Sequence, residues 1–159
     1  MSAILSERRR ARKKLINRME DMSDDKKIYA TNEQDIRIWF DIINQAVFLG
    51  KLRTNFTRIS IVRQRKNWAH YTGDCSNVSE SLQEKLDGIG IVSDLSISKN
   101  FPNIRGFINV LAHEMVHHYQ FECEKPGFDP TNISHGKSFW KWKDPFRKYG
   151  LNLQRVPKI

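Results

Sequence analysis

Hydrophobic residues recur along this chain at two spacings, and the change from one to the other lays out its elements. From Ser6 to Met22 the apolar positions Leu5, Leu15, Ile16, Met19 and Met22 make a narrow stripe on a helix. The rest of that helix is Arg8-Arg9-Arg10-Ala11-Arg12-Lys13-Lys14. The polar run Ser23-Asp24-Asp25-Lys26-Lys27 follows as a linker, so residues 1–27 read as a basic helical arm and residues 28–159 as the domain. Asn32, with Gln34 and Asp35 behind it, marks a helix start; the run Ile36, Ile38, Trp39, Phe40, Ile42, Ile43, Ala46, Val47 and Leu49 predicts a largely buried helix that Gly50 ends.

Beyond Gly50 the period shortens to two. Phe56, Arg58, Ser60 and Val62 alternate with Thr57, Ile59 and Ile61 as a strand would. Asn67 to Tyr71 reads as a second short strand with Thr72-Gly73-Asp74 in a turn, and Gly88 to Val92 leads through Leu95 and Ile97 into a third. Pro102 and Asn103 introduce a long helix from Ile104 to Glu124, which Lys125-Pro126-Gly127 breaks. After a loop through Asp129-Pro130-Thr131-Asn132, a last helix runs from His135 or Gly136 to just before Gly150. Helix, strands, long helix, loop and helix is an α+β order, with a small, mostly antiparallel sheet packed on helices.

Composition excludes several classes. An apolar fraction of 39% supports a packed core in one domain. No apolar run approaches the roughly 18 residues of a membrane helix. Met1–Leu5 leads into Arg8 to Arg10 and not into an apolar stretch, so a cytoplasmic location is expected. Cys75 and Cys123 are too few for a disulfide framework or a four-cysteine zinc site, and one or both are expected as small core residues. The net charge of +9 is concentrated: between Asp41 and Asp74 there is no acidic residue, while Arg63, Arg65 and Lys66 fall in that gap. Lys141, Lys143 and Arg147 repeat the bias near the end. Clustered cations attract polyanions, so Arg8, Arg9, Arg10, Arg12, Lys13, Lys14, Arg63, Arg65, Lys66, Lys141, Lys143 and Arg147 are candidate nucleic-acid contacts, with DNA the expected partner.

The chemistry centres on His113-Glu114-Met115-Val116-His117, an HExxH pentapeptide within the predicted long helix. Helical positions four apart turn through about 400°, so both imidazoles leave one face, a turn apart, where one Zn²⁺ can accept them at about 2.0–2.1 Å. Glu114 falls beside the ion as the catalytic base. A catalytic zinc needs a third protein ligand. Gln120 and Cys123 stand where the metzincin pattern requires Gly and His. Glu124 lies two turns along the axis, roughly 10 Å away, and Glu122 faces away. His135 remains, arriving after the helix break; Asp129 is a weaker substitute.

LAHEMVHHYQ, followed after 135 − 117 = 18 residues by HGKSFWKW, resembles the SprT-like zinc peptidases, which include the Spartan-type proteases of DNA–protein crosslinks. The family pattern is HExxH, a variable loop, then HG with an aromatic residue two or three positions on, a place Phe139 fills. The order of elements from about residue 30 to residue 150 also fits. The resemblance implies a zincin-like fold, one Zn²⁺ on His113, His117 and His135, Glu114 as general base, and proteins bound to DNA as substrates.

Zinc peptidase chemistry also needs a donor for the developing oxyanion. His118, Tyr119 and Tyr149 are the candidates, and the sequence does not choose among them. An extended substrate is expected to pair with the strand from Val92 to Ile97. His70 reads as an ordinary strand residue. The competing function is a nucleic-acid-binding module with a structural, non-catalytic zinc site, in which Glu114 would have no task.

Overall fold

Two asparagines start the helices around which the chain is built. In the computed structural model, which describes residues 3–64, 67–74, 92–124 and 135–157, Asn32 caps α2 (Glu33–Ala46) by accepting from the Asp35 amide at 2.8 Å. Asn103 caps α3 (Ile104–Tyr119) by accepting from the Gly106 amide at 2.7 Å. Each cap satisfies one amide that a helix start leaves without a partner. Helix α3 is apolar on almost every face, with Phe107, Ile108, Val110, Leu111, Ala112, Met115 and Val116 all fully buried. A helix of that pattern belongs in the middle of a core.

The basic N-terminal helix α1 (Ala3–Glu20) is part of that core. Ala11, Leu15 and Met19, four apart, are its buried residues, and it lies along α2. Arg105, in the first turn of α3, donates from Nε to the Met19 carbonyl at 2.8 Å and from Nη1 to Asp25 at 2.7 Å. Within residues 3–27, Met19 and Asp25 are thus hydrogen-bonded to the first turn of α3. Gly150 has a φ of +81°, and a Cβ there would lie 3.0 Å from that of Met19, so both conformation and the close approach of α1 call for glycine.

The sheet is mixed. β2 (Arg58–Ile61) pairs in parallel with β4 (Val92–Ile97), which pairs antiparallel with β3 (Ala69–Asp74), giving the order β2-β4-β3. Thr72 to Asp74, expected as a turn, extend β3. A separate antiparallel pair joins β1 (Tyr29–Ala30) to β5 (Asn100–Phe101). The predicted start of the third strand at Gly88 lies outside the described residues.

Helix α3 does not continue unchanged to Glu124. It widens into a π turn, Gln120–Glu124, a feature that often accompanies function. The last helix divides into α4 (Lys137–Trp140) and α5 (Lys143–Lys148). The cause is Pro145, whose ring would meet the carbonyl of residue 141 in a continuous helix but is tolerated in the first turn of a new one. Of the two cysteines, Cys123 is exposed, with its thiol 3.6 Å from the Lys51 carbonyl, and Cys75 lies outside the described residues. Among the described residues no helix is long and apolar enough to cross a membrane.

Candidate metal centre

Because α3 is buried, the residues it presents at one turn's spacing are held in an apolar setting. His113 and Glu114 are 4% and 5% exposed, and His117 is half-buried. Their Nε2 atoms, His113 to His117, are 3.3 Å apart. Around an ion bonded to nitrogen at about 2.05 Å, the edge of a tetrahedron is about 1.63 times the bond, or about 3.3 Å. The two α3 imidazoles thus stand at the separation a tetrahedral ion requires.

His135, just ahead of α4, supplies the third ring. Its centroid is 5.4 Å from that of His113 and 5.1 Å from that of His117. One ligand atom from each of the three lies within 4.8 Å of the others. Among the described residues these three form the one such cluster of metal-ligating side chains. Phe139, fully buried on α4, lies under all of them: it stacks on His117 at 5.3 Å and meets His113 and His135 edge-on at 5.1 and 4.7 Å. That packing fixes the rings without offering a competing ligand.

Electrostatics favours neutral imidazoles. Burial, then the neighbouring His117 and His135, push His113 down to about 3, while a weaker contact with the Gln154 backbone acts the other way. Burial takes His117 to about 4, against a hydrogen bond to Gln120 and with smaller contributions from His135 and His70. His135 is lowered by burial and by Arg155. All three lone pairs are therefore available at neutral pH, the state a metal accepts. Burial alone raises Glu114 to about 8. Its Oε1 lies 3.9 Å from His113 Nε2.

Comparison of the chain with family models, curated proteins and solved structures returns no match.

The candidate oxyanion donors are placed on other contacts. His118, 1% exposed, has Nδ1 at 2.8 Å from the Tyr71 hydroxyl and Nε2 at 2.7 Å from the Thr54 carbonyl, so both nitrogens are engaged inside the domain. Tyr119 packs on Phe48 and Trp142, with Lys141 over its ring at 5.3 Å. Tyr149 lies in the core beneath Lys148. The strand expected to receive substrate is central: β4 pairs with β3 throughout and with β2 from Asp94 to Ile97, so those residues offer no free edge. Glu124, set aside on distance, pairs with Lys141. Asp129, Arg65 and Lys66 lie outside the described residues.

Of the other basic candidates, Arg9, Arg10, Lys13, Lys14, Arg63, Lys141, Lys143 and Arg147 are exposed or partly so. Arg8 and Arg12 are held closer to the domain, and Arg8 donates to the Leu49 carbonyl at 2.7 Å. Sequence reasoning missed the groups around the triad. His70 on β3 and Arg155 in the C-terminal segment both lie near enough to influence it. Gln120 and Ser138 are buried beside it. His70 and Arg155 reach the triad only through the packing of distant segments, whereas Gln120 and Ser138 each stand three residues after a ligand, His117 and His135, a spacing visible in the sequence.

Proposed function

We propose that this chain is a zinc-dependent endopeptidase of the SprT-like, zincin-like kind, acting on proteins associated with nucleic acid. The observation that carries the reading is the convergence of three neutral imidazoles with a buried carboxyl beside them. The donor set argues for zinc, since imidazole nitrogens suit it and three protein ligands leave a fourth position for chemistry. A structural zinc site would close that position with a fourth side chain. Among the described residues the cluster holds three. A structural role also gives no task to Glu114.

His113, His117 and His135 would hold the ion. When bound there it would supply a Lewis acid that polarises a carbonyl and lowers the pKa of water from 15.7 towards about 7. Glu114 does the proton work: a carboxylate oxygen accepts the proton of the attacking water, and the resulting carboxylic acid returns it to the leaving amine nitrogen. Burial that raises its proton affinity suits a group that must hold a proton and then release it. An extended peptide finds its pairing partner on β3, the sheet edge that carries His70, rather than on β4. The exposed cations of α1 and α5 support recruitment through nucleic acid.

The test is to incubate wild type and Glu114→Gln with a DNA-binding protein, with and without DNA and chelator, and to look for fragments. The reading predicts fragments from the wild type alone, lost with chelator and increased by DNA. Zinc-loaded wild type that leaves every substrate intact, or equal cleavage by Glu114→Gln, would refute it.

A further inference from the structure

We infer that Gln120 is a positioning residue of the metal centre, setting the tautomer of His117 and, through Ser138, tying the His135 segment to α3. This rests on the metal-binding reading above. Gln120 is the first residue of the π turn, three positions after His117, and is 3% exposed. Its Oε1 lies 2.8 Å from His117 Nδ1, and its Nε2 donates to Ser138 Oγ at 2.8 Å. Ser138 is itself buried on α4, three residues after His135.

An amide oxygen can only accept, so the proton of a neutral His117 sits on Nδ1 and the lone pair on Nε2. Nε2 is the atom that faces His113 at 3.3 Å. The opposite tautomer would point an N–H into the space an ion must occupy. The other end of the amide fixes a second coordinate. α3 supplies two ligands and the chain returning after residue 134 supplies the third, and the Gln120–Ser138 bond joins these two pieces of chain beside the triad. Phe139 packs the rings from below but is apolar and cannot select a tautomer. Both polar partners are buried, so a hydrogen bond removed here is not replaced by bulk water.

The experiment uses the full chain as wild type, Q120L, Q120E and S138A. Zinc affinity is measured by competition with a chromophoric chelator, the ligand field by the visible spectrum of the Co²⁺-loaded protein, and folding by the melting of the metal-free protein. Leucine fills similar space but cannot accept, so Q120L should bind zinc about 10- to 100-fold more weakly, the range for outer-shell partners of histidine ligands, with an altered Co²⁺ spectrum. Glutamate keeps an acceptor at the same reach, so Q120E should bind zinc within about threefold of wild type with its spectrum restored. S138A should fall between. Wild-type zinc affinity in Q120L, or a Q120E as weak as Q120L, would overturn the inference. If Q120L fails to fold, Q120E and S138A still decide it, because a pure packing role predicts no loss in S138A and no retention tied to an acceptor. A wild type that takes up no zinc would instead refute the metal site itself, and this inference with it.

Discussion

Glu122→Gln should cost about 3 kcal/mol at pH 7 without touching the three histidines. Glu122 lies in the π turn and is 4% exposed. Burial by itself would raise its pKa, but hydrogen bonds from His118, Thr54 and the Arg53 amide, with the nearby His118 ring, outweigh it and hold the carboxyl down to about 2. The partners are specific: Oε1 accepts from the Arg53 amide at 2.5 Å, and Oε2 accepts from the Thr54 hydroxyl at 2.7 Å and lies 3.2 Å from His118 Nε2. A fall from the ordinary 4.5 to about 2, at about 1.36 kcal/mol for each pH unit, means that the ionised form gains about 3 kcal/mol from folding. A depressed carboxyl pKa gives stability that is present above the unfolded value and fades as pH falls through the folded one. At pH 3, between the two, less than half should remain, about 1 kcal/mol. Chemical denaturation of wild type and Glu122→Gln, both with chelator at pH 7 and pH 3, measures the difference directly. A difference under about 1 kcal/mol at pH 7, or the same difference at both pH values, would show that the network does not stabilise the ionised carboxylate.

Glu114→Gln should have opposite effects on stability and on cleavage. With its pKa raised from 4.5 to about 8 by burial, Glu114 destabilises the metal-free fold progressively as pH rises between those values, so the variant should gain about 3 kcal/mol at pH 7 and little at pH 4.5, read by denaturation in chelator. Ser96→Pro should prevent folding rather than merely slow turnover, because Ser96 sits in the central strand opposite both Ser60 and His70; a soluble variant with native circular dichroism would refute the sheet order. Reversing Arg9, Arg10, Lys13 and Lys14 to Glu should leave DNA-independent cleavage unchanged and flatten the salt dependence of DNA-stimulated cleavage, by about 0.9 in log–log slope for each phosphate that the variant no longer neutralises.

What the sequence made legible was local. The Asn32 and Asn103 caps, the apolar run of α3 and the i, i+4 histidines all follow from one helical turn, and each is found where expected. His135 is the favoured third ligand because Glu122 and Glu124 fail on helical geometry, with Asp129 left as a weaker substitute. The errors share a different origin. Whether β4 is central or an edge depends on strands many residues away, as does the docking of α1 through Ala11, Leu15 and Met19. Glu122 faces away from the metal, and its role is set by Arg53 and Thr54, 69 and 68 residues back along the chain. Pro145 was a readable signal that the last helix must break, and its cause is purely steric.

Burial of the triad also decides how the site meets acid. Three ordinary imidazoles with pKa 6.5 would each lose about tenfold in metal affinity between pH 7.5 and pH 5.5, since a proton competes for every lone pair, and together they would lose about a thousandfold. Here His113 at about 3 and His117 at about 4 contribute almost nothing to that loss, and His135, lowered by burial and Arg155, contributes less than its tenfold share. The carboxyl of Glu114 would add a proton of its own, because one protonated below about pH 8 must ionise as a cation arrives beside it. The measurement therefore belongs in Glu114→Gln, where that proton is absent. Zinc affinity of this variant, corrected for the chelator's own protonation, should fall less than about tenfold from pH 7.5 to pH 5.5. A fall near a thousandfold would mean that the three rings are hydrated and protonate independently, and the convergence on which the catalytic reading depends would not exist in solution.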